Sequence, residues 1–244
     1  MSRFMTLLYG SACYAVFLAT FLYAMAFVAG VGVPKHIDNG ASTSLLAALA
    51  IDLGLLTLFA VQHSGMARPA FKRWWTRYVP QVIERSTFVL VSSLVLLLLF
   101  WQWRPLPQVI WQVQPGWAEW SLMAVSLLGW LMVLTSSFTI NHFELFGLRQ
   151  VWLFVRGREA KDEPFVLRAM YRIVRHPLML GFLIAFWATP YMTLGHLLFS
   201  GVVTGYIFVA VKFLEERDLV AAHGEAYREY QRTVPMLVPL PKRR

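Results

Sequence analysis

Arg175-His176-Pro177, then an apolar stretch, then Glu215-Glu216-Arg217-Asp218-Leu219 place basic and acidic side chains at the two ends of one hydrophobic run. Such groups hold ions and polar ligands through charge-assisted hydrogen bonds, provided the chain brings the two ends together. As one continuous helix, the 37 residues from Pro177 to Phe213 would rise roughly 55 Å against a hydrocarbon core of roughly 30 Å. The segment must fold back. Thr189-Pro190, with Gly195 after it, supplies the break, because proline lacks a backbone donor and disfavours helix at the residue before it. His176 and Glu215 are then expected to return to one side of a membrane and meet there.

The elements that position these groups are apolar. Of the 244 residues, 58% are hydrophobic and 14% charged, with the charges in blocks between long apolar runs. This is the pattern of a polytopic membrane protein. Four spans are predicted at about 5 to 33, 44 to 66, 86 to 103 and 120 to 140, each near or above the ~20 residues a crossing needs. The first arm of the hairpin has room for only ~12 residues, which fits a re-entrant or strongly tilted segment. The longest polar loop, 141 to 175, is too short for a core of its own.

Lysine and arginine set the expected orientation, since cytoplasmic loops carry the positive charge. Arg3, the loop after the second span, the loop after the fourth and the tail from Lys212 hold 20 of the 22 such residues; Lys35 and Arg104 are the other two. Both termini are therefore expected in the cytoplasm, with 34 to 43 and 104 to 119 outside. The formal charge of +9 follows from topology and anionic head groups, so nucleic acid need not be a partner. The first apolar segment is longer than a signal peptide and lacks a small-residue cleavage pattern, so it reads as a retained anchor.

Other chemistries find little support. The single cysteine, Cys13, lies inside the first span and reads as an apolar filler. The histidines are scattered, with no ligand pair at helical spacing, so no metal is expected. Neither a phosphate loop, a nucleophile elbow nor the strand-helix alternation of a Rossmann fold is present. Tryptophans such as Trp74, Trp75, Trp101 and Trp117 fall at predicted span ends, as interfacial belts do. Taken singly, Arg175-His176-Pro177 reads as helix capping and anchoring, and Glu215-Glu216 as a solvated helix continuation.

Together the motifs say more. Arg175-His176-Pro177 with Gly181, Glu215-Glu216 with Leu219, Gly224-Glu225 with Tyr227 and Tyr230, and Val234-Pro235 resemble the cofactor-binding end of the isoprenylcysteine carboxyl methyltransferase superfamily. Val61 to Ser64, Ala67 to Trp75, Glu84 to Thr87, Trp101 to Pro105 and Ile140 to Gln150 resemble the bacterial methanethiol S-methyltransferase family, nearly end to end. Nurim, a nuclear-envelope membrane protein without a clearly assigned activity, is similar over the same region. One position departs from the superfamily pattern: Met179 stands where a tyrosine is usual, so that contact is absent or comes from Tyr171 or Tyr191.

The resemblance implies an all-α integral membrane protein, with four transmembrane helices and a C-terminal helical hairpin whose ends are cytoplasmic. It would be one methyltransferase domain over 1–244: a four-span region at 1–140, a cytoplasmic loop at 141–176, and a hairpin with cofactor-binding tail at 177–244. The implied cofactor is S-adenosylmethionine, held by Arg175, His176, Pro177, Gly181, Glu215 and Glu216. Arg175 and His176 would take its carboxylate, and a glutamate the ribose hydroxyls or the ammonium. Gly181 would either admit the cofactor or pack helices closely. The implied acceptor is a small thiol, most simply methanethiol, giving dimethyl sulfide. A thiol reacts as thiolate, which a cation favours, so Arg149 is the expected stabiliser and His142 the expected base or orienting group, with Asn141 beside it. His63 ends the second span at the same face and is a candidate pocket residue. Asp52, about 11 residues earlier, is expected near mid-membrane without an obvious cationic partner, as a neutral structural acid or part of a substrate path. The location implied is a bacterial cytoplasmic membrane. Rival readings are a lipid or prenyl-cysteine methyltransferase and a non-catalytic nurim-like scaffold.

Overall fold

The structure, a computed structural model, describes residues 2–158 and 169–239. Helix α1 (Arg3–Ala29) opens on Ser2, whose hydroxyl oxygen accepts from the Met5 amide at 3.2 Å. It closes on Gly30 at φ 71°, the left-handed cap that a residue without Cβ adopts without strain. That cap ends the helix earlier than its hydropathy suggests. Helix α2 (Leu45–Ala67) is capped in the same way by Ser44, and the short α3 (Pro69–Trp75) starts on a proline. Then follow α4 (Gln81–Gln102), strand β1 (Val109–Gln112), α5 (Trp117–Ile140), α6 (His142–Leu145) and α7 (Leu148–Val155). A 3-10 turn at Ala169–Arg172 leads to α8 (Pro177–Trp187), β2 (Tyr191–Thr193) and α9 (Leu194–Ala210). A π-helical turn at Val211–Glu215 runs into α10 (Glu216–His223), followed by α11 (Glu225–Thr233).

Among the described residues five helices are long and apolar enough to cross a membrane: α1, α2, α4, α5 and the continuous run Leu194–His223. Among the described residues the elements are helical but for the two-stranded sheet of β1 and β2, which the hydropathy pattern does not reveal. Side chains on the helix exteriors are apolar, with Leu46 79% and Trp117 84% exposed. Such a surface suits lipid and not water. Inside, small polar residues return their hydroxyls to the preceding turn, as Thr20 does to the Val16 carbonyl at 2.7 Å.

The hairpin explains the sheet. Eleven residues of α8 rise roughly 16 Å, whereas the 17 of α9 rise roughly 26 Å. The first arm makes up the difference in extended chain, at roughly 3.3 Å per residue. Extended backbone needs outside partners for its amides and carbonyls. Pairing with β1 supplies them, continued by Val113, whose amide donates to the Pro190 carbonyl at 2.8 Å. The break at Thr189-Pro190 is thus where expected, and α8 is the short arm.

The chain divides into two compact units: Met1–Gln108, His142–Lys161 and Thr193–His196 in one, and Val109–Asn141, Asp162–Met192 and Leu197–Arg244 in the other. In the first, α1, α2, α4 and α7 pack together, and Gly10 on α1 lies so close to Val151 that a Cβ there would stand 2.7 Å from its methyl. In the second, α5 lies along α8, with the hairpin ends and tail beyond.

Candidate active site

The sequence motifs at the hairpin ends meet. Pro177 opens α8 at its first turn, where its missing N–H costs no hydrogen bond, and His176 precedes it as the cap. The run from Leu194 to His223 spans 30 residues, roughly 45 Å, so its charged end from Lys212 onward extends beyond a ~30 Å hydrocarbon core. There Arg175 Nε donates to Glu216 Oε1 at 2.6 Å. His176 approaches the same oxygen with Nε2 at 3.2 Å and Glu215 Oε1 with Nδ1 at 3.6 Å. Two consecutive glutamates therefore flank one imidazole, Glu215 as the last residue of the π-helical turn and Glu216 as the first of α10, the turn itself being wider than an α-helical one.

The cluster also clamps the tail. Arg175 Nη1 donates to the carbonyls of Gln231 at 3.1 Å and Val234 at 2.5 Å. The backbone amides of Arg175 and His176 donate to Pro235 and Met236. Gln231 Nε2 donates to the second carboxylate oxygen of Glu216 at 3.0 Å. Beneath, Tyr227, Tyr230 and Val234 form a small core with Leu219 and Val220, and Tyr230 donates its hydroxyl proton to the Tyr171 carbonyl. The motif Gly224-Glu225 with Tyr227 and Tyr230 thus builds the floor of the cluster. Gln231 carried no signal in the sequence beyond adjacency to Tyr230.

Electrostatics follow from this burial. Burial alone would lower the pKa of His176, but hydrogen bonds and charge from Glu215 and Glu216 raise it to about 9, so the ring is protonated at neutral pH. Burial alone would raise Glu216; His176 and Arg175 instead pull it down to about 2. Burial, then the negative charge of Glu215, pushes the Tyr171 phenol well above its ordinary value. The side chain of Glu216 is 10% exposed and that of Glu215 45%, so Glu215 is the carboxylate open to a ligand. Next to the cluster lies a groove of about 530 Å³ lined by Lys212, Glu216, Arg217, Val220, Arg228 and Gln231, within the size range of small-molecule sites. Its wall carries both charge signs.

One expected cofactor residue, Gly181, and the departing Met179 have packing roles. A Cβ on Gly181 would stand 2.8 Å from the Gly129 carbonyl oxygen, so the missing side chain is filled by α5. Met179, in the tyrosine's place, packs against Ile207, Val211 and Leu237. Of the two tyrosines that could replace it, Tyr171 feels the charge of Glu215; Tyr191 lies in β2 at the far end of the hairpin.

The expected acceptor-side residues occupy the other unit, apart from Asn141, which closes α5 at φ 148°. A non-glycine residue there is strained. Directly after it His142 is 5% exposed, Nε2 lies 2.8 Å from the Tyr14 hydroxyl, and the ring sits 4.8 Å from Phe146. Burial lowers its pKa, so the ring is neutral at pH 7. Arg149 Nη1 is paired with Glu144 Oε2 at 2.5 Å. His63 stacks on Phe59 at 5.2 Å, lies 5.1 Å from Phe88 and bonds Ser92 Oγ at 3.3 Å. Phe88 shares a core with Phe17 and Phe146, so His63 and His142 border one aromatic layer.

Asp52 is elsewhere, and its surroundings differ from those expected. It is fully buried, its Oδ1 accepts from the Arg104 amide at 2.9 Å, and the charges of Lys35 and Arg104 act on it. Those two cations come from loops the sequence placed outside the membrane, and the fold brings them to the acid. Lys35 itself donates to the carbonyls of Asn39 and Trp103. Among the described residues no three His, Cys, Asp or Glu side chains cluster as a metal site would require.

Comparison with known proteins bears on the whole chain. Residues 53–238 match the NnrU protein family. The methanethiol S-methyltransferase of Mycobacterium tuberculosis is 56% identical over 243 residues, covering 100% of this chain and 99% of that protein. That of Crocosphaera subtropica is 51% identical, covering 98% and 93%. Nurim of Pan troglodytes is 34% identical, covering 76% and 73%. No solved structure shows significant similarity. On the family match and these near-full-length identities, the chain belongs to the NnrU protein family, with the methanethiol S-methyltransferases among its relatives.

Proposed function

We infer that this chain is a membrane methyltransferase that methylates methanethiol to dimethyl sulfide, with S-adenosylmethionine as methyl donor. Relatives of that name at 51–56% identity over nearly the whole chain support the reaction and acceptor. The observation that carries the cofactor reading is the closed hairpin, where Arg175 and His176 hold Glu216 at the wall of a groove of mixed charge, with the half-exposed Glu215 next to it in the chain. This donor set suits a ligand bearing a carboxylate, an ammonium and a ribose diol. Glu215 accepts from the diol or the ammonium. Arg175 and His176, whose contacts run to the glutamates, act through them, and Lys212, Arg217 and Arg228 offer the carboxylate its cations.

When bound, the cofactor supplies a methyl group already activated by its sulfonium, so the protein's task is to position and to activate the thiol. His142, neutral because it is buried, takes the thiol proton. Arg149, its guanidinium fixed by Glu144, stabilises the thiolate. Asn141 sets the chain direction into His142. By charge distribution the chain lies in a bacterial cytoplasmic membrane with both termini and the hairpin ends cytoplasmic.

Calorimetry on detergent-solubilised protein tests the cofactor, with saturable S-adenosylmethionine binding expected. Binding without dimethyl sulfide from methanethiol would redirect the acceptor to a lipid or prenyl-cysteine. Absence of binding would favour a nurim-like scaffold.

A further inference from the structure

We propose that Arg85 binds the acceptor as thiolate: its guanidinium lies on the aromatic layer bordered by His63 and His142, with no carboxylate in ion-pair range among the described residues. The proposal rests on the reading above that the acceptor is a small thiol.

Arg85 sits one turn into α4, and its Nε donates to the Leu145 carbonyl at 2.8 Å. That bond ties the guanidinium to the short segment carrying His142, Glu144 and Phe146. The same segment is pressed against α4 one residue further on, where a Cβ on Gly147 would stand 2.6 Å from Ser86 Oγ. The Arg85 Cζ lies 5.1 Å from the centre of the Phe88 ring, within cation–π reach. Phe88 in turn lies 5.1 Å from His63 and shares a core with Phe17 and Phe146. The guanidinium is thus fixed through Nε and Phe88, and among the described residues neither Nη nitrogen has a hydrogen bond.

The charge at this place is not offset. Glu84 and Glu144 act on Arg85 only from beyond ion-pair distance, and Glu144 is engaged with Arg149 at 2.5 Å. One guanidinium at α6 therefore has its carboxylate, and the other lacks one. At this end of the packed helices the other titratable groups are Tyr9, Cys13 and Tyr14 on α1, His63 on α2 and His142 on α6, none of them a type that is anionic at neutral pH. Asp52 on α2 is tied to the Arg104 amide beyond the opposite end of α4. A cation near a helix N-terminus also meets the positive end of the helix dipole. Holding a partly buried guanidinium there is costly unless an anion completes it.

A thiolate meets that requirement. An apolar pocket alone keeps a thiol protonated, whereas an adjacent guanidinium favours its anion. The thiol's proton passes to solvent, and the sulfur lone pair forms the new S–methyl bond as the S–methyl bond of the sulfonium breaks, which leaves both sulfurs uncharged. The product is a neutral thioether, with no charge for Arg85 to hold. The residue that retains the substrate therefore releases the product.

The test uses full-length protein in non-ionic detergent with 13C-methyl methanethiol as probe and no cofactor, so that the carbon shift reads the protonation state of the bound thiol apart from turnover. In the wild type the bound thiol is expected to ionise more readily than the free thiol, by on the order of tenfold or more, as beside an opposite charge. Arg85→Gln keeps a donor and removes the charge; it is expected to abolish that difference, and Arg85→Lys to retain part of it. In turnover, Arg85→Gln is expected to lose on the order of tenfold or more in kcat/KM for methanethiol at neutral pH, to recover in part as pH rises, and to bind S-adenosylmethionine as wild type does. A bound thiol in the wild type that titrates like the free one would overturn the proposal even if both variants fold poorly, as would a difference that survives in Arg85→Gln. Wild type that methylates methanethiol with no such difference would overturn the proposal alone. Wild type that neither binds nor methylates methanethiol would overturn the small-thiol reading beneath it.

Discussion

Arg175 and Glu216, 41 residues apart, share a contact of 2.6 Å with both side chains at least nine-tenths buried. It joins the start of α8 to the start of α10, and through Gln231 and Val234 it holds the tail. Glu215, one residue away, is 45% exposed. The neighbouring acids therefore divide labour: Glu216 closes the hairpin, and Glu215 keeps a carboxylate open to its surroundings.

The division can be separated by mutation. Glu216→Ala leaves Arg175 buried without its carboxylate and is expected to destabilise the protein by about 3–5 kcal/mol, the range for breaking a buried pair. Glu215→Ala is expected to leave thermal stability nearly unchanged and weaken S-adenosylmethionine binding by about 1.5–3 kcal/mol, as for a lost charged hydrogen bond. Thermal unfolding and calorimetry on both variants check this; equal effects on stability would contradict it.

Stability should vary with pH in a direction fixed by the same cluster. Glu216 is held at about 2 against an ordinary 4.5, so its contribution is full above about 4.5 and is lost as pH falls towards 2. His176 is raised to about 9 from 6.5, so its contribution is full below 6.5 and is lost as pH rises through 9. Denaturation midpoints are expected to be highest between about pH 4.5 and 6.5, with the alkaline decline reduced in His176→Gln. A decline unaffected by that substitution would remove the His176 charge from the clasp.

Orientation is open to reporter fusions. A reporter after Arg244, or inserted near Arg77 or Lys161, should respond from the cytoplasm, and one near Asn39 or Pro115 from outside, on the 20 to 2 division of lysine and arginine. An external Arg77 would overturn the span assignment and separate the proposed motifs.

On the acceptor side, Arg149→Ala is expected to lower methanethiol turnover steeply with S-adenosylmethionine affinity nearly intact, and raised pH to restore part of the loss by supplying thiolate. Steady-state rates across pH check it. Wild-type turnover at neutral pH would take Arg149 out of the mechanism; its pairing with Glu144 would then be structural.

The meeting of His176 with the two glutamates was legible in the sequence because it rests on length and proline alone: an apolar run too long for one crossing, broken at Pro190. The π-helical turn was not legible, because a one-residue change of helical register leaves no mark in composition. Gln231 and Tyr14 were missed for another reason. Their partners lie 15 and 128 residues away, and nothing local in the sequence distinguishes them from solvated or packing residues. Gly181 illustrates the reverse: its small size was visible, but whether ligand or helix fills the space depended on Gly129 across α5. For Asp52, the partner cations lay in loops read as remote from the membrane interior, and only the packing at the end of α4 brings Arg104 to it.

The central claim is that a methyl group passes from S-adenosylmethionine to methanethiol on this chain. Its most direct measurement follows purified protein given S-adenosylmethionine with a labelled methyl group and methanethiol, with headspace detection of dimethyl sulfide. The expected result is labelled dimethyl sulfide in step with S-adenosylhomocysteine, lost in Glu215→Ala at low cofactor concentration and recovered at high. Unlabelled dimethyl sulfide, or none from protein that binds the cofactor, would contradict the claim.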